Sequence, residues 1–547
     1  MFSVLLLAAS QAAAHEPPSP TLEHFASLEH DHIASLGVTA HIEANADTTS
    51  SDSKPVGYFL KSFNATEPIV LPLDDHVAQA LDGLTHYRLL PAVFPKGMEY
   101  HFDGLATVLK MSVANGSLTI FSRAFESGAY EHYNKCLFYG TGTGPTLGLQ
   151  LCFLNPAVNL LPIGADGRQL WLTIDTSSWG RVDPDSLATI PGASVDVDGA
   201  FTLNAHPACD PISFECFVQH PCPKARSPLT KDACISQLVP SSAHSGEVGM
   251  STVRLSHIEL PYEKLIQHSH SPCLTPSFVI AKLDAFHARD PINSNSGLLK
   301  FALQGEDDLW MVMDRRTNAS RVLTSPGHKF VNNHFWNCYE DAAGDVVVEA
   351  VPATSEYLDN YFERNLRQPS VPWAKLLTPP LRCLVPMSSA SSAITCTPMF
   401  GTAAVPPSAA SVLAFDYPTF NPRFKMRNYR FFYGIAPSSA KARWFDTLIK
   451  VDRSNTTRSA VVGRWASPGV YLTEADFVPL SASTSMVDED NGILVTVLYN
   501  ETADESLVGF FDAKSVAPMG IYPMGMAVPF HAHGIVCPKG ERCFTNP

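Results

Sequence analysis

Positive charge is scarce in this chain. Its 38 Lys and Arg face 53 Asp and Glu, leaving a formal charge of −15. The basic residues stand singly or in pairs and never form a patch. An acidic chain without one repels phosphate backbones, so nucleic acid is excluded as a partner. Long apolar runs are absent beyond the N-terminus, and none suffices to span a bilayer. A phosphate-cradling loop is also missing. Gly140-Thr-Gly-Thr-Gly-Pro-Thr-Leu-Gly imitates one, but no helix opens after it and no βαβ unit surrounds it, so it reads as a glycine-rich turn. Helical periodicity is rare. The one clear case is Ser355 to Leu366, with Tyr357, Leu358, Tyr361, Phe362 and Leu366 on one face.

What is present is an all-β rhythm. Short apolar segments such as Leu170-Trp-Leu-Thr-Ile, Leu309-Trp-Met-Val-Met and Ile493-Leu-Val-Thr-Val-Leu recur along the chain, and several lead through a turn into a second strand. With 43 Pro and 32 Gly spread evenly, this predicts a propeller or sandwich rather than a parallel sheet.

Residues 1–14, MFSVLLLAASQAAA, read as a secretory signal cut before His15. Residues 15–54 read as a polar, poorly ordered leader, and 55–547 as the folded unit. Five sequons, at Asn64, Asn115, Asn318, Asn455 and Asn500, agree with export and glycosylation. So does the even count of 12 Cys. Cys209, Cys216, Cys222 and Cys234 crowd a stretch read as an insertion over about residues 207–250, and Cys537 and Cys543 bracket a short loop. Disulfides are expected in both, since no zinc spacing around His220 fits. The destination is the secretory pathway or the exterior, with onward routing to a plastid left open.

Four of the 20 His stand in distinctive phrases. These are Asn204-Ala-His206-Pro-Ala-Cys, His268-Ser-His270-Ser-Pro-Cys, Asn333-His334-Phe-Trp-Asn-Cys and Val528-Pro-Phe-His531-Ala-His533-Gly. Such wide separation suits a site on the axis of a closed β fold. Neighbours at i and i+2 on a strand share a face, so the residues alone leave His268 and His531 open as ligands.

The phrases resemble the four metal-binding phrases of the carotenoid cleavage oxygenase family, which includes apocarotenoid oxygenases, plant epoxycarotenoid dioxygenases and the retinal-pigment isomerohydrolase. Tyr100-His-Phe-Asp-Gly-Leu-Ala with Asn115-Gly-Ser-Leu-Thr-Ile-Phe-Ser-Arg-Ala-Phe resembles its first recognisable hairpin, and Val182-Asp-Pro-Asp-Ser-Leu-Ala resembles a later strand-turn. Similarity runs in order from about residue 80 to 535, although Tyr87-Arg-Leu-Leu-Pro departs from the family's glycine-rich opening. The resemblance implies a seven-bladed propeller with a helical and loop cap, including residues 355–410, over an apolar tunnel. It implies Fe(II) held by His206, His270, His334 and His533, with no catalytic residue beyond the metal site. The partners implied are O2 and a hydrophobic carotenoid-like substrate. The reaction implied is oxidative scission of a conjugated double bond into two carbonyl products. Stilbene-type cleavage, isomerising ester cleavage and non-catalytic apocarotenoid binding are the alternatives on the same site.

Family members place Glu behind three of the histidines. Here Glu474 matches one, and Asp175 and Asp416 stand at the other two positions, assigned to His270 and His334. Asp is a methylene shorter, so its carboxylate is expected to stop about 1.5 Å short on an unchanged backbone, and either the strands move inward or a water bridges the gap. The apolar run from Trp373 to Pro407, with Leu376 and Leu377, suggests peripheral membrane contact at the tunnel mouth; an ordinary buried loop is the competing reading.

Overall fold

The computed structural model describes residues between 63 and 545, apart from short breaks and longer ones at 128–154, 289–300, 358–372 and 401–413. The signal, the leader, the glycine-rich turn at 140 and most of the helical stretch at 355–366 lie outside the described residues. No described helix is long and apolar enough to cross a membrane.

Seven sheets are arranged as the blades of a propeller, with one extra two-stranded ribbon, Phe286–Ala288 and Phe301–Leu303. Blade 1 pairs Thr85–Val93, Leu105–Ala114 and Ser117–Ala124 with the C-terminal strand Gly534–Cys537. Arg88 opposes Gly534 and Thr85 opposes Cys537, so the two ends of the chain close the ring. Blades 2 to 7 then follow in chain order. They open with the strands Asn159–Ile163, Val195–Asp196, Cys273–Leu274, Val331–Glu340, Asp416–Thr419 and Val470–Leu472.

Strand composition follows position in the blade. Ser117–Ala124 alternates half-buried and buried along its length, as a strand with one packed face must. Val346–Ala353 (VVVEAVPA), within blade 5, is buried throughout. Its one acid, Glu349, survives there because Arg453, Arg382 and the Tyr429 hydroxyl all donate to it. Trp171, Trp310, Trp336 and Trp444 are fully buried.

One turn recurs in four hairpins. Asp183, Asp210, Asp314 and Asp512 each accept, at the backbone carbonyl, the N–H four residues on, from Leu187, Phe214, Asn318 and Val516. Those four residues have positive φ of 56°, 64°, 60° and 61°. Each Asp carboxylate also caps N–H groups inside its own turn, the local bonding that favours Asp at such positions. These backbone N–H groups hold the Asp183 and Asp314 carboxyls below the usual range.

The Cys-rich stretch is built into a blade: Ala208–Cys209, Cys216–Pro221, Thr230–Ser242 and Val248–Lys264 are four strands of blade 3. Within the segment given to the cap, Leu381–Val385 and Thr395–Pro398 are the outer strands of blade 5. Trp373, Leu376 and Leu377 are buried in a cluster with Tyr357, Trp444 and Phe445, so these three offer no surface to lipid.

All ten described cysteines are disulfide-bonded. Cys209–Cys216 and Cys383–Cys396 join directly opposed residues on paired strands. Cys222–Cys234 braces blade 3, Cys273–Cys338 ties blade 4 to blade 5, and Cys537–Cys543 closes the terminal hairpin.

Candidate metal centre

Every blade sends one side chain to the axis. His206 precedes Ala208–Cys209 of blade 3, and His270 precedes Cys273–Leu274 of blade 4. His334 lies within Val331–Glu340 of blade 5, and His533 precedes Gly534–Cys537 of blade 1. Blades 2, 6 and 7 contribute Asp175, Asp416 and Glu474. One ligand nitrogen from each of the four histidines lies within 4.8 Å of all the others. His531, the residue-level alternative to His533, points elsewhere: its Nδ1 faces the Pro529 carbonyl at 2.9 Å. His268 lies outside the described residues.

Local bonding sets each histidine. The His206 N–H donates to the His270 carbonyl at 3.2 Å. Asn204 ties the two loops together, donating to the Ser269 carbonyl while its Oδ1 accepts the Gln219 N–H. Thr173 and Asn159 of blade 2 both donate to the Ala205 carbonyl. Each histidine is followed three or four residues later by a bonded cysteine: Cys209, Cys273, Cys338 and Cys537. Cys273–Cys338 therefore joins the strands that carry His270 and His334.

The aspartates reach their histidines directly. His270 Nδ1 lies 2.9 and 3.1 Å from the two Asp175 oxygens. His334 Nδ1 lies 3.0 Å from Asp416 Oδ1. The expected shortfall of about 1.5 Å does not occur, because the backbone brings these carboxylates closer. Asp416 is the carboxyl-flanking residue of a strained step, since Tyr417 after it has φ 53° although a proline follows. A non-glycine residue held there costs roughly 1–3 kcal/mol. The longer Glu474 has the longest contact, its Oε2 standing 3.4 Å from His533 Nδ1, within ion-pair range but too poorly aligned for a hydrogen bond.

The donors fit a metal. Both ring nitrogens of His206 are buried with no hydrogen-bond partner, a costly state unless something else takes a lone pair. Burial, then the neighbouring imidazoles, holds His206 and His533 well below 6.5, so both are neutral and ready to ligate. Four imidazoles suit Fe, Zn or Cu; a carboxylate behind a ligating histidine fixes its tautomer and raises its basicity.

Reasoning from sequence missed three neighbours. Tyr357 donates its hydroxyl to Asp416 Oδ2 at 2.5 Å; its place on the apolar helical face was visible, its partner was not. Tyr417 packs its ring 5.6 Å from His334 and 5.9 Å from His533, and a residue before proline normally reads as extended. Arg88 is fully buried behind His533, and only the departure at Tyr87-Arg-Leu-Leu-Pro marked its surroundings. Trp444 and Phe530 extend the aromatic wall that begins at Tyr417. A small cavity of mixed polar and apolar lining adjoins His206, with Asn159, Ser271, Asn337 and Lys425 among its polar residues; burial lowers the Lys425 amine to about 8.

A seven-bladed propeller carrying four axial histidines, three of them faced by carboxylates, defines a propeller whose axial site could hold a metal. The chain belongs to the family described as Retinal pigment epithelial membrane protein, whose model matches residues 76–537. A carotenoid dioxygenase of Neurospora crassa is 25% identical over 428 residues, 68% of this chain and 63% of the relative. A mitochondrial carotenoid-cleaving dioxygenase of Macaca fascicularis is 31% identical over 117 residues, 21% of this chain and 19% of the relative. The matches thus span less than two thirds of either relative. Among solved structures, the lignostilbene dioxygenase of Pseudomonas brassicacearum superposes with a TM-score of 0.67 at 18% identity, covering 88% of this chain and 98% of that one. A variant of the Synechocystis apocarotenoid oxygenase gives 0.65 at 17%, covering 88% and 98%. At such identities these two neighbours share the fold.

Proposed function

We propose that the protein is an exported, Fe(II)-dependent oxygenase that cleaves a conjugated carbon–carbon double bond in a carotenoid or apocarotenoid, giving two carbonyl products. The convergence of four histidines, with carboxylates behind three, carries the reading. The carotenoid dioxygenases among its relatives support the substrate class. Bound iron would supply the activation of O2, chemistry that protein side chains lack.

His206, His270, His334 and His533 would hold the metal as neutral donors. Asp175 and Asp416 keep His270 and His334 in the tautomer that leaves Nε2 free, by accepting at Nδ1. The buried rings of Tyr417, Phe530 and Trp444 exclude water on one side of the histidines. No general base or nucleophile is required. Full pairing of the ten described cysteines supports an oxidising compartment, and Asn115 and Asn318 lie exposed in turns where a glycan fits.

The test is incubation of anaerobically purified, iron-loaded protein with a carotenoid, apocarotenoid and stilbene panel under labelled O2. Two aldehyde or ketone products, each carrying label, are expected from a carotenoid-type substrate. Exclusive turnover of stilbenes would move the substrate class; binding of apocarotenoids without turnover would leave a binding protein.

A further inference from the structure

Among the described contacts, the three carboxylates behind the histidines differ in one respect. Asp175 receives the Ala205 N–H, and Asp416 receives the Tyr417 N–H and the Tyr357 hydroxyl, all neutral donors. Glu474 faces a cation. Arg88 Nη1 lies 3.4 Å from Glu474 Oε2, the same oxygen that stands 3.4 Å from His533 Nδ1. The same guanidinium lies 3.1 Å from Asp476 Oδ2, which is 2.6 Å from His86 Nε2. All five side chains are buried.

The guanidinium is firmly seated. Arg88 donates to the Ala532 carbonyl at 2.9 Å, to Thr473 Oγ1 at 3.2 Å and to the Glu474 carbonyl. These groups immediately flank His533 and Glu474. Gly534, the residue after His533, leaves the space its stem needs: a Cβ there would stand 2.5 Å from Arg88 Cδ and 2.8 Å from the Tyr87 carbonyl. The glycine of the His533-Gly534 pair therefore serves Arg88.

We propose that Arg88 is a positioning residue that divides itself between Glu474 and Asp476 and so sets how strongly Glu474 engages His533. A carboxylate shared with a guanidinium has part of its charge neutralised and accepts an imidazole N–H less strongly. The contacts follow that order, 2.9 and 3.0 Å for His270 and His334 against 3.4 Å for His533. His533 is thus the weakest donor of the three histidines that face a carboxylate, and the centre favours the lower oxidation state of its metal. Asp476 counterbalances Arg88 by drawing the cation away from Glu474.

The proposal rests on the four histidines holding a metal, and the experiment separates the two claims. Full-length wild type is first loaded with iron or with Co(II); failure to take up about one equivalent would defeat the metal reading. On protein that loads, the midpoint potential of iron and the Co(II) ligand-field spectrum are compared among wild type, Arg88→Gln, Arg88→Lys and Asp476→Asn, with thermal unfolding in parallel. Arg88→Gln is expected to lower the potential, because Glu474 turns fully to His533. Asp476→Asn is expected to raise it, because Arg88 commits to Glu474. Arg88→Lys, which keeps the charge, is expected near wild type. If Arg88→Gln fails to fold, the sign for Asp476→Asn carries the test. Equal potentials and spectra across folded variants, or shifts of the same sign in Arg88→Gln and Asp476→Asn, would reduce Arg88 to a blade-closing residue and overturn the proposal.

Discussion

Replacing Asp416 by Glu restores the family's usual residue and should nevertheless weaken the metal centre. Asp416 is fully buried. Its Oδ1 lies 3.0 Å from His334 Nδ1 and 2.7 Å from the Tyr417 N–H, and its Oδ2 lies 2.5 Å from the Tyr357 hydroxyl. One more methylene advances the carboxylate by about 1.5 Å, into space that His334 and Tyr357 already occupy. One of them must yield. Overpacking of this kind costs about 1–3 kcal/mol, and a displaced carboxylate behind a ligand lowers metal affinity about 10–100-fold. The assay is Fe(II) release to a chelator together with thermal unfolding of the metal-free protein. Faster release and a lower midpoint are expected. Tighter iron in Asp416→Glu would refute the reasoning, since it would mean the aspartate leaves a gap that the distances do not show.

Three other outcomes follow from the packing. Replacing Cys273 and Cys338 by Ser opens a loop of 65 residues, worth about 4 kcal/mol in the chain-entropy model, and should also speed iron loss; unchanged urea midpoint and release rate would contradict it. Trp373→Ala removes a ring whose centroid lies 4.0 Å from that of Trp444, tilted at 45°, and should cost about 3–5 kcal/mol; a neutral change with lost liposome binding would restore the lipid-contact reading. Because burial holds His206, His531 and His533 below 6.5, the folded metal-free chain binds fewer protons than the unfolded one. Its stability is therefore fully present above that value and is lost as pH falls below it; a urea midpoint that rises between pH 7 and 5 would be the opposite result.

The propeller was legible because strand rhythm and ordered phrases survive at low identity. The four histidines were legible for the same reason, each in a phrase of its own. Connectivity of Cys209, Cys216, Cys222 and Cys234 was not, since four cysteines allow three pairings and only strand register selects Cys209 with Cys216. The reach of Asp175 and Asp416 was legible only as a choice between strands moved inward and a bridging water, and the direct contacts are those of the first. Side-chain length is readable in a sequence; the position of the strand that carries it is set by packing between blades. Arg88 stayed hidden for a related reason. It meets Glu474 and Asp476 across 386 and 388 positions of chain, a closeness that exists only once the ring is shut through Gly534–Cys537.

Metal content tests the central claim most directly. Protein made under iron-replete conditions and purified anaerobically should hold about one iron per chain, and His206→Ala, His270→Ala, His334→Ala and His533→Ala should each lose it while the circular dichroism of the propeller persists. Stoichiometric zinc with no iron in the wild type, or iron retained in all four variants, would contradict the account.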